Sequence, residues 1–337
     1  MRLLGLTEAM SGCGWHRVML PLAFMQDSYC HVTNFMTPNL FEDNFQAILY
    51  NRFCHVDNGW DEVKKHYKVI MDLDDDWELP HNHPLHFHYH RQKARVLNNI
   101  ANADLVTCTN QLIADKVKQY NPNVLILPNA IPLGEHQYTL DRQESEFVRV
   151  FWAGGSTHLN DLAILRNPVK RLKELPQIQM VLGGYTDTDP VSKDLWNRML
   201  NIFTDGKRLN WKVIHGTKPN SYMTLYEHAD IMVIPLEQSP WHACKSNLKI
   251  LEAASKKIPC VVSDVAPYNV DEDCPVLFVK NQSDWFKYIK FLTLNKQARI
   301  DYGEKLYEWA KEKYNFTTIN QQRYHAFRNL IEAQALL

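Results

Sequence analysis

The chain has 337 residues, with 37 basic against 38 acidic side chains, a net charge of -1, and 45% hydrophobic residues. A chain this long exceeds most single cores, so two domains are expected, and the near-neutral charge offers no bulk field for nucleic acid or an anionic membrane. Seven cysteines without a C-x-x-C pair argue against a disulfide framework and a zinc finger, and point to a reducing compartment.

The N-terminus opens with the strand-like "RLLGLT". Glu8 and Arg17 interrupt the apolar residues that follow, which makes a poor signal peptide. No apolar run approaches the ~18 residues that a membrane span requires. "SGCGWHR" comes next. Gly12 and Gly14 follow the first strand and Arg17 falls in the first turn of the next helix, so the segment is either a loop facing a ligand or a plain turn with a solvated arginine. "CHVTNF", "FQAILYN", "YKVIMDL", "ADLVTCT" and "NVLILPNAI" are expected strands, with "GWDEVKKH" and "QLIADKVKQY" as crossover helices.

"VIMDLDDDWELP" sets Asp72, Asp74, Asp75 and Asp76 at the end of an apolar strand. Hard oxygen ligands suit Mg²⁺ or Mn²⁺. Acceptor recognition, with one aspartate orienting a hydroxyl, is the favoured alternative, and capping of the following turn is the structural one. Like charges this close demand a cation or donor nearby, for which a buried arginine suffices. "PHNHPLHFHYHR" carries His81, His83, His86, His88 and His90. It is expected as a loop, polar or lining an acceptor pocket, and Pro80 and Pro84 disfavour a regular metal-binding face.

"GEHQYTLDRQESE", about residues 134 to 146, is the linker candidate. Beyond it, "FVRVFWAGG", "IQMVLGGY", "WKVIHG", "DIMVIPL", "PCVVSD" and "PVLFVK" read as strands. They alternate with the helical patterns "STHLNDLAILRNPVKRLKEL", "SKDLWNRMLNIF", "NSYMTLYEHA" and "KSNLKILEAASKK". Such alternation with near-continuous apolar strands predicts parallel sheets covered on both faces. From about residue 284 the pattern is helical to the end.

Ligands of open α/β sheets bind beyond the carboxyl ends of the strands. Gly154 and Gly155 follow a strand there and let the backbone approach a ligand, with Ser156 or Thr157 as caps of the next helix. In "KSNLKILEAA", Lys245, Lys249 and Glu252 are spaced for one helical face, and Ser246 is the expected N-cap. The two lysines would add positive charge to the helix dipole, and Glu252 could hold vicinal hydroxyls, so together they suit a diphosphate and a ribose. The structural alternative is a solvated amphipathic helix.

"ADLVTCTNQLIADKVKQYNPNVLILPNAI", "FWAGGSTHLNDL" and "ADIMVIPLEQSPWHACKSNLKILEAASKKIPCVVSDVAPY" resemble the retaining, nucleotide-sugar-dependent glycosyltransferases of the GT-B fold, the "glycosyl transferases group 1" type. "GCGWHRVMLPL" and "DLDDDW" resemble a phage and bacterial subset of them. The resemblance implies two Rossmann-like domains facing a cleft, residues 1–138 for the acceptor and 139–310 for the nucleotide-sugar donor, with residues 311–337 as a helix packing back on the first. It implies that Glu252 holds the ribose and that Lys245 and Lys249 neutralise the leaving diphosphate. The turns Gly154–Gly155–Ser156 and Ser246–Asn247–Leu248 would touch the donor, and Gly12, Gly14 and Arg17 would lie near phosphate or acceptor. The family's earlier glutamate is replaced by Cys244, with Glu237 as the nearest substitute. Its usual Arg and Lys after the first strand of the second domain are replaced by His158.

The expected activity is transfer of a hexose or pentose with retention and without a resident metal. Asp74 and Asp75 would orient the acceptor hydroxyl, and Mg²⁺ or Mn²⁺ at Asp74–Asp76 is the less favoured variant. The acceptor is a saccharide, a lipid-linked saccharide or a hydroxymethylated base of phage DNA. A non-catalytic nucleotide- or carbohydrate-binding module and a nucleotide-sugar epimerase are the alternatives. The resemblance places the protein in a bacterial or phage-infected cytoplasm.

Overall fold

The computed structural model describes residues 1–7, 11–34, 43–53, 59–83, 85–175 and 177–333. Glu8, Phe35, Cys54, Pro84 and residues 334–337, which the expectations above touch, lie outside them. The chain divides into two compact units. The first comprises Met1–Ala130, Cys244–Ser246 and Asn315–Leu337; the second comprises Ile131–Ala243 and Asn247–Tyr314.

Each unit holds one six-stranded sheet, parallel throughout. The first contains β1 (Arg2–Leu6), β2 (Tyr29–Thr33), β3 (Ala47–Asn51), β4 (Lys68–Leu73), β5 (Leu105–Cys108) and β6 (Val124–Ile126), in the order β2-β1-β3-β4-β5-β6. The second contains β7 (Val148–Ala153), β8 (Ile178–Tyr185), β9 (Trp211–His215), β10 (Ile231–Ile234), β11 (Cys260–Ser263) and β12 (Leu277–Val279), in the order β12-β11-β10-β7-β8-β9. All twelve correspond to strand segments expected from the sequence, and both sheets are Rossmann-like.

Side-chain alternation explains why the strands read as continuous apolar runs. On one face of the first sheet, Leu4, Ile48, Tyr50, Val69 and Met71 pack with Trp60, Val63, Val96, Ile100, Ile113 and Val117. These come from the helices Trp60–His66, His86–Asn102 and Gln111–Val117. On the opposite face, Leu3, Ala47, Leu49 and Ile70 meet Val18, Leu22 and Phe327. Phe327 belongs to the C-terminal helix Phe316–Glu332, which is therefore part of the first unit. Asn320 of that helix donates to the Pro21 carbonyl at 3.0 Å, and Phe316 stacks edge-on against Phe24. In the second unit Val150, Trp152, Met180, Leu182, Ile231 and Val233 form a core with Trp196, Met199, Trp285 and Ile289.

Three local expectations are corrected. His86, His88 and His90 stand on the helix His86–Asn102 and not in a loop. "STHLNDLAILRNPVKRLKEL" is broken into a 3-10 turn Ser156–His158, a short helix Leu159–Ala163 and a 3-10 segment Pro168–Glu174. Pro168, with no N–H to donate, marks the second break. Gly12 does not lie in a loop either. It opens the helical turn Gly12–Gly14, where the Ser11 hydroxyl accepts from the Gly14 N–H at 3.0 Å.

Candidate functional site

In the first unit the acidic strand end is an ion-pair network. Arg17, expected near a ligand, lies in a π-helical turn and is 1% exposed. Its guanidinium grips both oxygens of Asp72 at 2.8 and 2.9 Å and donates to Asn129 Oδ1 at 3.0 Å. Thr107 adds a third bond to Asp72 at 2.6 Å. Arg52 holds both oxygens of Asp74 at 2.7 and 2.9 Å, and reaches Asp75 Oδ2 at 2.8 Å and the Tyr89 hydroxyl at 2.7 Å. Lys245 Nζ lies 3.5 Å from Asp75 Oδ1, and Lys116 Nζ lies 2.5 Å from Asp76 Oδ2.

The strand end thus answers its own repulsion with Arg17, Arg52, Lys116 and Lys245. Burial would raise the Asp74 carboxyl, but the Arg52 charge and hydrogen bonds from Arg52, Cys13 and Asn51 hold it well below the usual carboxylate range. The same burial pushes the nearby Cys13 thiol far up, so it stays protonated. Asp74 and Asp75 remain partly exposed, at 12% and 22% of the side chain, whereas Asp72 and Asp76 are buried. Of the four, only Asp74 and Asp75 are open to solvent.

In the second unit the Gly154–Gly155 turn follows β7. Lys249 Nζ donates to the Ala153 carbonyl at 2.5 Å and lies 5.5 Å from the Trp152 ring. A Cβ on Gly154 would come within 3.0 Å of that ammonium and 2.9 Å of Trp152. Glycine is what lets the lysine reach the end of the strand. Gly184, with φ +94 in the penultimate position of β8, lies so close that a Cβ there would sit 2.5 Å from the Gly154 carbonyl oxygen.

Lys249 and Glu252 share the helix Leu248–Ser255, but Lys245 lies ahead of it, so the expected three-residue face reduces to two. Ser246 is not the cap. Its hydroxyl accepts from Asn129 at 2.8 Å, and the N-cap position belongs to Asn247, with no side chain capping the first turn. Ser156 and Thr157 do not cap either, because the 3-10 turn takes them into itself. Leu248 is half-buried beside the buried Asn247. Glu252 is buried and accepts a 2.6 Å bond from the Tyr226 hydroxyl. Burial and the Glu252 charge push the Tyr226 hydroxyl well above its usual range, so it stays a donor.

His158 and Glu237, the expected substitutes, converge on a residue that the sequence reading did not single out. His158 Nδ1 is 2.8 Å from Asp161 Oδ2, the Glu237 N–H donates to Asp161 Oδ1 at 2.9 Å, and His242 Nε2 lies 3.4 Å from the same oxygen. Burial opposes ionisation of Asp161, but hydrogen bonds from His158 and His242 hold its carboxyl well below the usual range. Cys244, where the family pattern has a glutamate, is buried in the apolar core of the first unit. That environment suits a thiol and not a carboxylate.

No family model matches the chain, and no curated protein matches it in sequence. Solved structures do. Sucrose-phosphate synthase from Thermosynechococcus elongatus is similar over 99% of this chain and 100% of its own, with TM-score 0.70 and 13% identity. An alpha-glucosyltransferase in complex with UDP gives TM-score 0.70 at 12% identity, over 97% of this chain and 100% of its own. The chain has the GT-B fold. A third GT-B structure, HepE from Anabaena in complex with UDP-glucose, matches at TM-score 0.63 and 13% identity over the whole of both chains. The GT-B assignment agrees with the two parallel sheets and with the resemblance carried by the motifs.

The sequence reading missed Tyr226, Asp161, His242 and Arg52. Tyr226 and Tyr222 are spaced i, i+4 in "NSYMTLYEHA", a pattern that resembles any buried face. Asp161 stands three residues after His158, a spacing that on a helical turn brings the two side chains together. That spacing was the one available signal.

Proposed function

We propose that the protein is a glycosyltransferase that moves a sugar from a nucleotide-diphosphate sugar to an acceptor hydroxyl. The observation that carries the reading is Lys249, anchored on the end of β7 beside Gly154 and standing in the first turn of a helix whose start no side chain caps. An ammonium and a helix N-terminus together suit a departing diphosphate. The GT-B fold supports the same reading, since two of the similar structures hold UDP or UDP-glucose.

In this proposal the bond from the sugar's anomeric carbon to the diphosphate oxygen breaks with the electron pair passing to the diphosphate. Lys249 stabilises that charge. The acceptor oxygen forms the new bond on the same face, and its proton goes to the departing phosphate oxygen, so configuration is retained and no metal takes part. Glu252, fixed by Tyr226, accepts from the ribose hydroxyls, and the Gly154–Gly155–Ser156 and Ser246–Asn247–Leu248 turns approach the donor. On the first unit, the Arg52-held Asp74 and the Lys245-paired Asp75 orient the acceptor.

For the acceptor, a saccharide or a lipid-linked saccharide is the first reading. A hydroxymethylated DNA base is the second, supported by a groove of the second unit whose lining includes Arg166, Lys170, Arg198 and Arg208, the last paired with Asp205. Phosphate contacts by such residues make binding fall steeply with salt.

The test is a donor panel of UDP-, GDP- and dTDP-sugars in thermal shift and in donor hydrolysis or transfer assays. One donor is expected to stabilise the protein, and Lys249→Ala to lose ~10²–10³ in turnover, as for loss of one preorganised charge-stabilising group. Unchanged turnover in the variant removes Lys249 from the role. A panel in which no donor binds sinks the reading.

A further inference from the structure

The Asp161 cluster carries a property outside sugar transfer as argued above. The acidic strand end of the first unit supplies its own cations. Around Asp161, the partners that the structure shows are two imidazoles and a backbone N–H. One carboxylate oxygen each from Asp161 and Glu237 and one ring nitrogen of His242 all lie within 4.8 Å of one another. The Asp161 Oδ1 to His242 Nε2 separation is 3.4 Å. That is about the edge of a tetrahedron with metal–ligand bonds of ~2.1 Å. Asp161 and His242 are buried, and Glu237 is half-buried, so a ligand sphere here is rigid on two sides and open on the third.

The surroundings are also those of a ligand set. His242 presents Nε2 to the cluster, while its Nδ1 lies 2.7 Å from the Ser239 hydroxyl. A histidine that ligates a metal through one nitrogen usually donates its other N–H to an oxygen, which fixes the ring and the tautomer. Ser239, Pro240 and His242 follow β10, and Asp161 lies eight residues beyond β7, its neighbour in the sheet. Ligands of open α/β sheets gather at such strand ends.

We infer that Asp161, Glu237 and His242 form a binding site for a first-row divalent transition metal, with His158 beside it as a further nitrogen donor. Two carboxylates with an imidazole favour Zn²⁺ or Mn²⁺ over Mg²⁺, which prefers an all-oxygen shell. The site does not depend on the glycosyltransferase reading, because it is tested by metal binding and not by turnover.

The experiment is isothermal titration of the chelator-stripped full chain with ZnCl₂, MnCl₂ and MgCl₂ near neutral pH. The expected result is one saturable equivalent of Zn²⁺ or Mn²⁺, with Mg²⁺ weaker. Glu237→Gln, at a half-exposed position that should fold normally, is expected to weaken binding by at least ~10-fold, and His242→Gln likewise. His86→Ala serves as the control for adventitious binding at the histidine-rich helix and is expected to change nothing. The inference is overturned by the absence of saturable binding, by Glu237→Gln titrating as wild type, or by His86→Ala abolishing the heat. Circular dichroism of each variant keeps a folding defect from passing as a lost ligand; if His242→Gln misfolds, Glu237→Gln decides alone.

Discussion

The carboxylates at the end of β4 in the first unit and those on two helices of the second, Asp161 and Glu252, are neutralised by different chemistry. In the first unit, Asp72, Asp74, Asp75 and Asp76 are met by guanidinium and ammonium groups, whose charge is fixed across the physiological range. In the second, Asp161 is met by imidazoles and Glu252 by a tyrosine hydroxyl. The first arrangement is a permanent scaffold. The second is held by ring nitrogens and a hydroxyl, which supply hydrogen bonds in place of a fixed countercharge. The difference separates carboxylates fixed by countercharge from carboxylates fixed by hydrogen bonds.

The comparison can be broken most directly at Arg17. With both partners 1% exposed, Arg17→Leu strands a buried charge on Asp72 and is expected to cost about 3–5 kcal/mol in denaturant unfolding. The double variant Arg17→Leu/Asp72→Leu should recover much of that loss, since an apolar pair of similar volume is often tolerated. A double variant as unstable as the single one would show that Arg17 acts through something other than Asp72.

Tyr226→Phe tests the weaker chemistry of the second unit. It removes one hydrogen bond to a buried carboxylate, with an expected loss of about 1.5–3 kcal/mol. The same variant should weaken donor binding if Glu252 holds the ribose.

Acid titration sharpens the contrast. The folded-state values of Asp74 and Asp161 both lie below the ordinary 3.8. Between the folded values and 3.8 the unfolded chain binds more protons, so stability falls as the pH falls. The contribution is complete above about pH 4 and is lost through the folded values. Arg52→Met removes the main cause at Asp74 and should move the acid-unfolding midpoint to higher pH, read by near-UV circular dichroism. A midpoint that stays in place would assign acid resistance elsewhere. The smallest effect is expected at Lys93, paired with Glu78 on the surface. Lys93→Ala should change stability by no more than about 1 kcal/mol.

The sheets were legible because parallel strands buried on both faces leave a run of apolar residues that survives without any tertiary knowledge. "IMVI" and "CVVS" are such runs. Short helices were less so. The segment after Gly155 has helical periodicity over twenty residues, yet it is divided into 3-10 and α pieces. In the histidine-rich stretch, polar residues and flanking prolines mimic a loop, while a helix starting at His86 needs only the face carrying Val96 and Ile100 to be apolar.

In the site, Lys249 and Glu252 could be picked out because they share one helix and differ in charge. Their partners could not. Ala153 is 96 positions from Lys249 and Tyr226 is 26 from Glu252. Arg17 shows the opposite failure. Its place in a glycine-rich turn suggested a ligand, but a strand end 55 residues away claims it.

The membership of residues 315–337 in the first unit has a consequence for biosynthesis. Phe327 closes the face formed by Leu3, Leu49 and Ile70, and Asn320 ties back to Pro21 across 299 residues. As the chain leaves the ribosome, the second unit has all its strands before that closing helix emerges. The portion translated first is thus the portion finished last, and until then an apolar sheet face stays partly uncovered. Chaperone dependence and losses from C-terminal truncation should therefore fall on the opening half of the polypeptide.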